Sequence, residues 1–168
     1  MTYSSFRTPD LSTFTNLDQC GLAIIGQQVE DNQQPARLLC RPVVIQLSCP
    51  ACGTRGYPGG TTTRQLSHIP WGHRPTILHV VIRRYRCPAC ETTWRDDLNR
   101  AAPPRSKLTY AAIRWALVTI GSDHMTISRC AAKLQVAWHT VNTAVLDEGR
   151  RVLFDDPQQV RWCTRYRR

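Results

Sequence analysis

Four cysteines, arranged as two identical Cys-Pro-Ala-Cys pairs, are the residues of this sequence best suited to a defined chemistry. The first pair is Cys49 with Cys52, the second is Cys87 with Cys90, and 34 residues separate the pairs. Two residues between paired cysteines let the backbone fold back so that both sulfurs reach one ion, and four thiolates complete the tetrahedron that Zn²⁺ prefers. The spacing therefore predicts one structural zinc ion; two redox dithiols, or incidental cysteines, are the alternatives.

We expect this metal to hold the front half of the chain together. Zinc binding to comparable peptides supplies roughly 10–16 kcal/mol of apparent free energy, whereas a whole domain is stable by only about 5–15 kcal/mol. Removing the ion should therefore unfold the front half. Gly53 follows the first pair, where a left-handed backbone is often needed, and Glu91 takes the equivalent place after the second pair.

The remaining cysteines and the nearby histidines form no comparable set. Four cysteines lack a partner at ligand spacing: Cys20, Cys40, Cys130 and Cys163. We interpret them as free thiols, with Cys130 as a small buried hydrophobe on the apolar face of a helix. Three histidines lie in the same half as the cysteine pairs: His68, His73 and His79. Four thiolates leave no vacancy for a histidine ligand.

The front half is predicted to contain short strands around the cysteines. Residues 1–20 are polar, contain Pro9 and are expected to form a flexible arm. Residues 21–100 are predicted to be a β-rich zinc-ribbon domain, with a loop over the Gly-rich residues 53–60. Strands are predicted at residues 22–29, 43–47 and 76–86.

The apolar spacing changes to that of helices in residues 101–156, which are predicted to form an all-α domain after a Pro-containing linker. Ser106 can cap a helix that ends near residue 120. Thr126 can cap a second helix that ends at Leu134, and a third runs from about residue 138 to residue 154. The fold class expected for the whole chain is thus α+β.

The segment 126–145 fits a helix-turn-helix, with a plain helical hairpin as the alternative. Its apolar residues at helical spacing are Ile127, Ala131, Leu134, Val136, Val141 and Val145. Two residues depart from the commonest pattern. Gln135 stands where Gly usually makes the turn, and Ala137 replaces the usual Ser or Thr cap, at a cost of up to about 1 kcal/mol each.

Eight residues of these two helices are predicted to contact DNA. Four lie near the start of the helix predicted at residues 138–154, which is the second of the two helices in the helix-turn-helix, and should face the major groove: Trp138, His139, Asn142 and Thr143. Four are better placed for phosphates: Arg129, Lys133, Arg150 and Arg151. Within the first group, Asn142 could read an adenine edge and Thr143 could touch a thymine methyl group.

The charge of the chain favours an acidic polymer as partner. The formal net charge is +10, from 22 basic and 12 acidic residues, and all the basic residues except Lys107 and Lys133 are arginines. Guanidinium groups suit bidentate phosphate contacts, although a GC-rich genome also enriches Arg. Residues 1–99 carry 10 basic and 7 acidic groups (net +3) and residues 100–168 carry 12 and 5 (net +7), which points to the back half.

The compartment follows from what the sequence lacks. The N-terminus has no apolar stretch of signal-peptide length, and no run approaches the roughly 20 apolar residues of a membrane span. A membrane surface would need a strongly apolar amphipathic stretch, which the sequence does not show. We therefore expect a cytoplasmic, nucleoid-associated protein without a membrane or small-molecule partner, in which cysteines serve metal binding rather than disulfides.

Several stretches share the pattern of one known family. They are residues 49–53 (Cys-Pro-Ala-Cys-Gly), 68–75 (His-Ile-Pro-Trp-Gly-His-Arg-Pro), 83–90 (Arg-Arg-Tyr-Arg-Cys-Pro-Ala-Cys), 94–97 (Trp-Arg-Asp-Asp), 115–117, 145–153 and 155–157. Over residues 20–157 the chain resembles the N-terminal part of a bacterial transposase of the ISL-three insertion-sequence family. The resemblance implies binding to double-stranded DNA at the terminal inverted repeats of the element. It also implies a larger RNase H-like domain that performs strand transfer with paired metal ions and an Asp-Asp-Glu set.

The sequence does not contain the stretch that would begin such a catalytic domain. Its carboxylates come as adjacent pairs, at residues 96–97, 147–148 and 155–156, and neighbours in sequence do not easily clamp two metal ions. Residues 157–168 depart from the family. When the codons of residues 161–168 are read one nucleotide forward, the junction of Trp162 and Cys163 must encode Gly. Permitted codon choices then continue the new frame as Val-Leu-Gly-Ile-Asp. We interpret this tail as the product of a frameshift, programmed or not, which the gene sequence downstream would test.

The sequence thus predicts a non-enzymatic fragment of a transposase, in which a zinc ribbon and a helix-turn-helix bind the ends of an insertion sequence. Such a fragment would pair with itself or with the full-length transposase and could inhibit transposition, or be a relic. One alternative is a transcriptional regulator built from the same modules. Another is an enzyme subunit whose partner supplies the active site.

Overall fold

The computed structural model describes residues 10–30 and 34–154, and within them the chain has the predicted α+β composition. The elements in chain order are α1 (Leu11–Phe14), β1 (Leu22–Gln28), β2 (Ala36–Pro42), β3 (Tyr57–Trp71), β4 (Arg74–Arg86), β5 (Thr93–Arg95), α2 (Tyr110–Gly121), α3 (Ile127–Leu134) and α4 (Trp138–Phe154). The predicted tail, residues 157–168, and the first nine residues of the predicted arm lie outside the described residues.

The strands form one five-stranded sheet in the order β1-β2-β4-β3, and β5 pairs with β4. β1 and β2 are antiparallel, from Leu22 opposite Pro42 to Gln28 opposite Arg37. β3 and β4 are neighbours joined by only two residues, which is the connection of an antiparallel hairpin. Gly72 begins that turn with a φ of +59°, a conformation that favours glycine.

The chain divides into two compact units whose segments alternate along the sequence. Unit 1 comprises the described residues of Met1–Gln28, Arg37–Gln65 and Leu78–Ala101. Unit 2 comprises those of Val29–Ala36, Leu66–Ile77 and Ala102–Arg168. The second half of β3 and the start of β4 therefore belong to unit 2, whereas the sequence suggested one boundary near residue 100.

Unit 1 is built on alternation within its strands. In β2 every second residue is buried, and in β4 the buried residues include Leu78, Val80 and Ile82. The N-terminal segment joins this core, because Leu17 is fully buried and the Ser12 hydroxyl accepts a hydrogen bond of 3.0 Å from the Ile24 amide. Residues 10–20 are thus packed against β1, in contrast to the flexible arm expected there.

Two strand predictions in unit 1 were wrong. Residues 43–47 are not a strand, and Val43 and Val44 are 58% and 67% exposed, although β-branched residues favour strands in general. The strand lies earlier, at Ala36–Pro42. The predicted loop at residues 53–60 is also partly strand, since β3 begins at Tyr57. Glycine is unfavourable in strands in general. Here pairing with β4 supplies the backbone hydrogen bonds that make these residues a strand.

Three helices and their own core make up most of unit 2. Thr109 rather than Ser106 caps α2, because its side chain accepts a hydrogen bond of 3.1 Å from the Ala112 amide. Thr126 caps α3 as predicted. The fully and nearly buried residues of this core are Leu108, Ala112, Ile113, Ala116, Cys130, Ala131, Leu134, Val141 and Val145. The prediction that Cys130 is a small buried hydrophobe is confirmed.

Candidate metal centre and nucleic-acid interface

The four cysteines of the two pairs come together at one point of unit 1. One ligand atom from each of Cys49, Cys52, Cys87 and Cys90 lies within 4.8 Å of all the others. The Sγ atoms of Cys49 and Cys90 are 3.5 Å apart and those of Cys52 and Cys87 are 3.4 Å apart. A tetrahedral ion with Zn–S bonds of about 2.3 Å places its sulfurs roughly 3.8 Å apart. These thiols are all free, so the arrangement fits one zinc ion.

Each pair sits in a turn of the same design. The Cys49 amide donates to the Thr54 carbonyl and the Cys87 amide donates to the Thr92 carbonyl, both over 2.9 Å. Within the turns, the Ala51 amide donates to the Cys49 sulfur over 3.4 Å, and the Ala89 amide does the same to Cys87. Each turn thus aims a backbone N–H donor at the sulfur of its first, buried cysteine.

The residue after each pair takes a left-handed backbone. Gly53 has a φ of +74° and Glu91 has a φ of +57°, so the second turn keeps the geometry of the first although its residue carries a Cβ. The strain at Glu91 is of the order of 1–2 kcal/mol for an L-residue. The exposed ion pair of Glu91 with Arg86, 3.4 Å long, offsets little of it.

Two threonines lower the pKa values of the two exposed thiols, Cys52 and Cys90. The Thr92 hydroxyl lies 3.2 Å from Cys90 Sγ, and hydrogen bonds from the side chain and then the backbone of Thr92 lower the pKa of Cys90 to about 6. The corresponding bonds from Thr54 lower the pKa of Cys52. Both thiols are therefore shifted toward the thiolate that a metal needs. These threonines were not among the predicted site residues, although the repeated spacing Cys-x-Thr marks them both.

Aromatic packing beside the metal site fixes β5 to the sheet. The rings of Tyr85 and Trp94 stack with centroids 5.7 Å apart, and the Trp94 indole donates to the Gln46 carbonyl over 2.8 Å. A Cβ on Gly56 would overlap the Trp94 ring, so this position requires glycine. The Tyr85 hydroxyl donates to the buried Asp96 carboxylate over 3.2 Å. Burial, followed by the negative charge of Asp96, raises the pKa of Tyr85.

In unit 2, a tight turn joins α3 to α4. Gln135 closes α3 with a φ of +51° and a ψ of +44°, and the Val136 amide donates to the Ala131 carbonyl over 3.1 Å. Gln135 thus takes the left-handed conformation that Gly usually supplies at this place. Val136 packs against the helical core, which anchors the turn.

The structure places the eight predicted DNA-contact residues as follows. Trp138, His139 and Thr143 are exposed, with Trp138 exposed by 51%, and Asn142 is half-buried. Arg129, Arg150 and Arg151 are exposed and Lys133 is half-buried. Two of the predicted phosphate ligands already hold a carboxylate on α4. Arg151 makes two hydrogen bonds of 2.7 and 2.8 Å to Glu148, and Arg150 lies 3.9 Å from Asp147.

A cleft of about 610 Å³ runs along the exposed side of α4 in unit 2. His139 and Thr143 line it, as do the carboxylates Asp147 and Glu148 of the same helix and two basic residues of the preceding segment, Arg105 and Lys107. Neither basic residue was among the predicted DNA contacts, because only the fold brings residues 103–107 beside α4. Both are exposed, and Arg105 has a φ of +60°.

The adjacent carboxylates have structural partners in the described part of the chain. Asp96 accepts hydrogen bonds from the Arg83 amide and from Tyr85, and Asp97 accepts one from the Asn99 amide. Within residues 10–30 and 34–154, the four cysteines are the only group of three or more His, Cys, Asp or Glu side chains placed to hold a metal ion. In the same residues, the helices are too short or too polar to cross a membrane.

Comparison with known proteins identifies the metal-binding segment. Residues 46–90 match a family model described as the zinc-finger of transposase IS204/IS1001/IS1096/IS1165. The match contains all four cysteines, so residues 46–90 are a transposase-type zinc ribbon and their metal is zinc. No curated protein and no solved structure matches the chain significantly.

Proposed function

We propose that this chain binds double-stranded DNA at the terminal inverted repeats of an insertion sequence, as the DNA-binding part of a transposase. The observation that carries the proposal is the transposase-type zinc ribbon at residues 46–90. The net charge of +10 agrees with a polyanionic partner. Within this proposal the zinc ion is scaffold, since four thiolates leave it no open position for catalysis.

The base-reading element of the proposal is α4, in a helix-turn-helix formed with α3. Two features support it: the tight turn at Gln135, and the burial of Val141 and Val145 on one side of α4. That burial leaves the side with His139 and Thr143 facing an open cleft. A helix presented in this way can enter the major groove with its first turns at the base edges.

Phosphate contacts flank this helix in the proposal. Arg105 and Lys107 lie across the cleft from the reading side of α4 and are suited to the backbone of the same duplex. Arg129 and Lys133 have no ion pair among the described residues and can contribute in the same way. Arg150 and Arg151 lie beside Asp147 and Glu148, whose negative charges reduce the attraction of these two arginines for a phosphate.

We further propose that the described residues do not catalyse strand transfer. Their paired carboxylates are engaged in hydrogen bonds and ion pairs, as at Asp96 and Glu148, rather than converging on a common point. Strand transfer would then belong to a separate RNase H-like domain. If the described residues occupy the repeats apart from such a domain, they should compete with the complete enzyme and inhibit transposition.

Binding is tested with the full zinc-loaded chain by fluorescence anisotropy. The probes are labelled duplexes from the ends of insertion sequences in the same genome, and shuffled duplexes of equal length and composition. We expect tighter binding to the terminal repeats and a log–log salt slope of about −0.9 for each phosphate neutralised. Equal affinity for terminal and shuffled duplexes would contradict the proposed target. Preference for a symmetric operator bound by a dimer would favour a transcriptional regulator instead.

Two substitutions separate base reading from backbone binding. Asn142→Ala should cost about 1–3 kcal/mol, concentrated at one base pair, whereas Arg129→Gln should weaken binding to every duplex and reduce the salt slope by about 1. Ser128→Ala, exposed on α3, is the matched control and should change neither. Equal losses on all duplexes after Asn142→Ala would remove this residue from the base-reading set.

The relation to a catalytic domain is tested separately. The nucleotide sequence beyond the codons of residues 157–168 should continue in another frame into a catalytic domain. If it does not, the frameshift interpretation is wrong. Adding the purified chain to a transposition reaction with the complete enzyme should lower the yield of transferred ends, and unchanged yield would rule out inhibition. Co-purification with a protein that carries the missing domain would instead indicate an enzyme subunit.

A further inference from the structure

Three neighbouring strands of unit 1 place cations on one side of the sheet beside the zinc site. β5 pairs with β4 so that Arg95 stands directly opposite Arg84, and Trp94 stands opposite Tyr85. Because side chains alternate along a strand, the two arginines project to the side opposite the stacked rings. Cross-strand neighbours of equal charge repel each other, so this pair is unfavourable for folding alone.

A cleft of about 380 Å³ opens on these strands. Its lining residues are Thr62, Arg84, Thr93, Trp94 and Arg95, which include two arginines and two threonines. Among the described residues, no carboxylate lines it and no ion pair involves Arg84 or Arg95. A third arginine lies near, since burial and then the positive charge of Arg95 lower the pKa of Arg64.

The cleft is held in shape without any ligand. Trp94 is fixed by its stack on Tyr85 and by its bond to the Gln46 carbonyl, so the strand that carries Thr93 and Arg95 cannot move freely. Arg86, two residues after Arg84 on the same strand, differs from the two arginines of the cleft. Arg86 pairs with Glu91, whereas the two arginines of the cleft face each other and the opening. A fixed cleft with unbalanced positive charge and hydroxyl donors is complementary to a phosphate group.

We propose that this cleft binds a backbone phosphate of DNA, which gives the zinc-ribbon unit a DNA contact of its own in addition to the helix-turn-helix. The ligand is a phosphodiester held by Arg84 and Arg95, with the hydroxyls of Thr62 and Thr93 as further donors. The identity of the polyanion rests on the proposed DNA binding. The contact positions the protein along the backbone and carries no base specificity.

The test uses the full zinc-loaded chain with Arg84→Gln, Arg95→Gln and the double variant, and Arg86→Gln as the matched control on the same strand. Binding to the terminal-repeat duplex and to a shuffled duplex is measured by anisotropy over a range of salt concentrations. The double variant should lose about 1 unit of log–log salt slope and the same factor of affinity on both duplexes. Arg86→Gln should leave the slope within the error of the wild type.

A stability measurement distinguishes a binding role from a structural one. Removing one of two facing like charges should raise the midpoint of thermal unfolding of the free protein, while the affinity for DNA falls. Variants that bind DNA normally with an unchanged slope would overturn the proposal. A lower midpoint together with weaker binding would also overturn it, because the arginines would then act through the fold.

The outcomes separate this inference from the proposed function. If the wild type does not prefer terminal repeats, the proposed target fails, yet a reduced slope of the double variant on any duplex still supports the cleft. If the preference for terminal repeats holds and the slope of the double variant is unchanged, the cleft fails alone. Absence of DNA binding by the wild type would contradict both.

Discussion

Removal of zinc should unfold unit 1 while the helices of unit 2 remain folded. All four ligands belong to unit 1, and two of them, Cys49 and Cys87, are buried within it. The helical core of unit 2 consists of residues between Leu108 and Val145 and contains no ligand. Metal binding and folding are therefore coupled in one unit only.

The size of the expected destabilisation follows from the linkage between zinc binding and folding. For a protein that binds one ion in the folded state, each tenfold decrease in free zinc lowers the free energy of unfolding by about 1.4 kcal/mol, while the site remains saturated. The metal can contribute roughly 10–16 kcal/mol, which is comparable to the whole stability of a domain. We therefore expect unit 1 to unfold before free zinc has fallen to the dissociation constant of the folded site.

The assay is urea unfolding in zinc buffers that span several decades of free metal. Hydrogen exchange at amides of β4 and β5 reports on unit 1, and circular dichroism of the helices reports on unit 2. The slope for unit 1 should be about 1.4 kcal/mol per decade, and about twice that for two ions. The slope for unit 2 should be near zero. Cys87→Ser should abolish the slope, and Cys20→Ser, a half-buried cysteine outside the site, should preserve it. Loss of the helical signal in parallel with the sheet would refute the reasoning.

Three further predictions concern single residues. Gly53→Ala should destabilise unit 1 by about 1 kcal/mol in urea unfolding, because a φ of +74° is strained for alanine although no atom lies within 4 Å of the new Cβ. Glu91→Gly should not destabilise it, and a loss would show that the side chain matters more than the strain. Thr92→Val should raise the pH at which acid releases zinc. The reason is that the bonds from Thr92 lower the pKa of Cys90 to about 6, so that losing them favours the thiol over the thiolate. An unchanged release pH would exclude this role. Leu134→Ala, at 1% exposure, should cost about 2–5 kcal/mol of helical stability in thermal unfolding, and a smaller loss would mean that the core collapses around the cavity.

The metal site could be predicted from sequence because its chemistry depends on residue type and local spacing. Two residues between cysteines are enough to form each turn, and four thiolates from two such turns are the typical ligands of a structural zinc ion. The helices of unit 2 were predictable for a related reason. Thr126 caps α3 with its own side chain, and the buried Val141 and Val145 recur at helical spacing, so both signals lie within a few residues.

The parts that could not be predicted depend on contacts distant in sequence. The first residues of β3, such as Gly59 and Gly60, have no strand preference of their own and form a strand because β4 lies beside them. The Arg105 and Lys107 side of the α4 cleft arises in the same way. Likewise, the alternation of the two units along the chain depends on contacts between distant residues, and the composition of the segments does not predict it.

The location of positive charge available to DNA shows why counting residues is not sufficient. The sequence assigns most of the net charge to the back half, which indicated that half as the polyanion-binding part. In the structure, however, Arg151 makes two hydrogen bonds to Glu148 and Arg150 lies 3.9 Å from Asp147, so that carboxylates on their own helix offset part of this charge. In the front half, Arg84 and Arg95 face each other in a cleft that no carboxylate lines. The attraction of a phosphate depends on the net charge at the site of contact, which neighbouring carboxylates reduce. Under the proposed DNA binding, the zinc ribbon should therefore contribute more to DNA affinity than its net charge alone indicates.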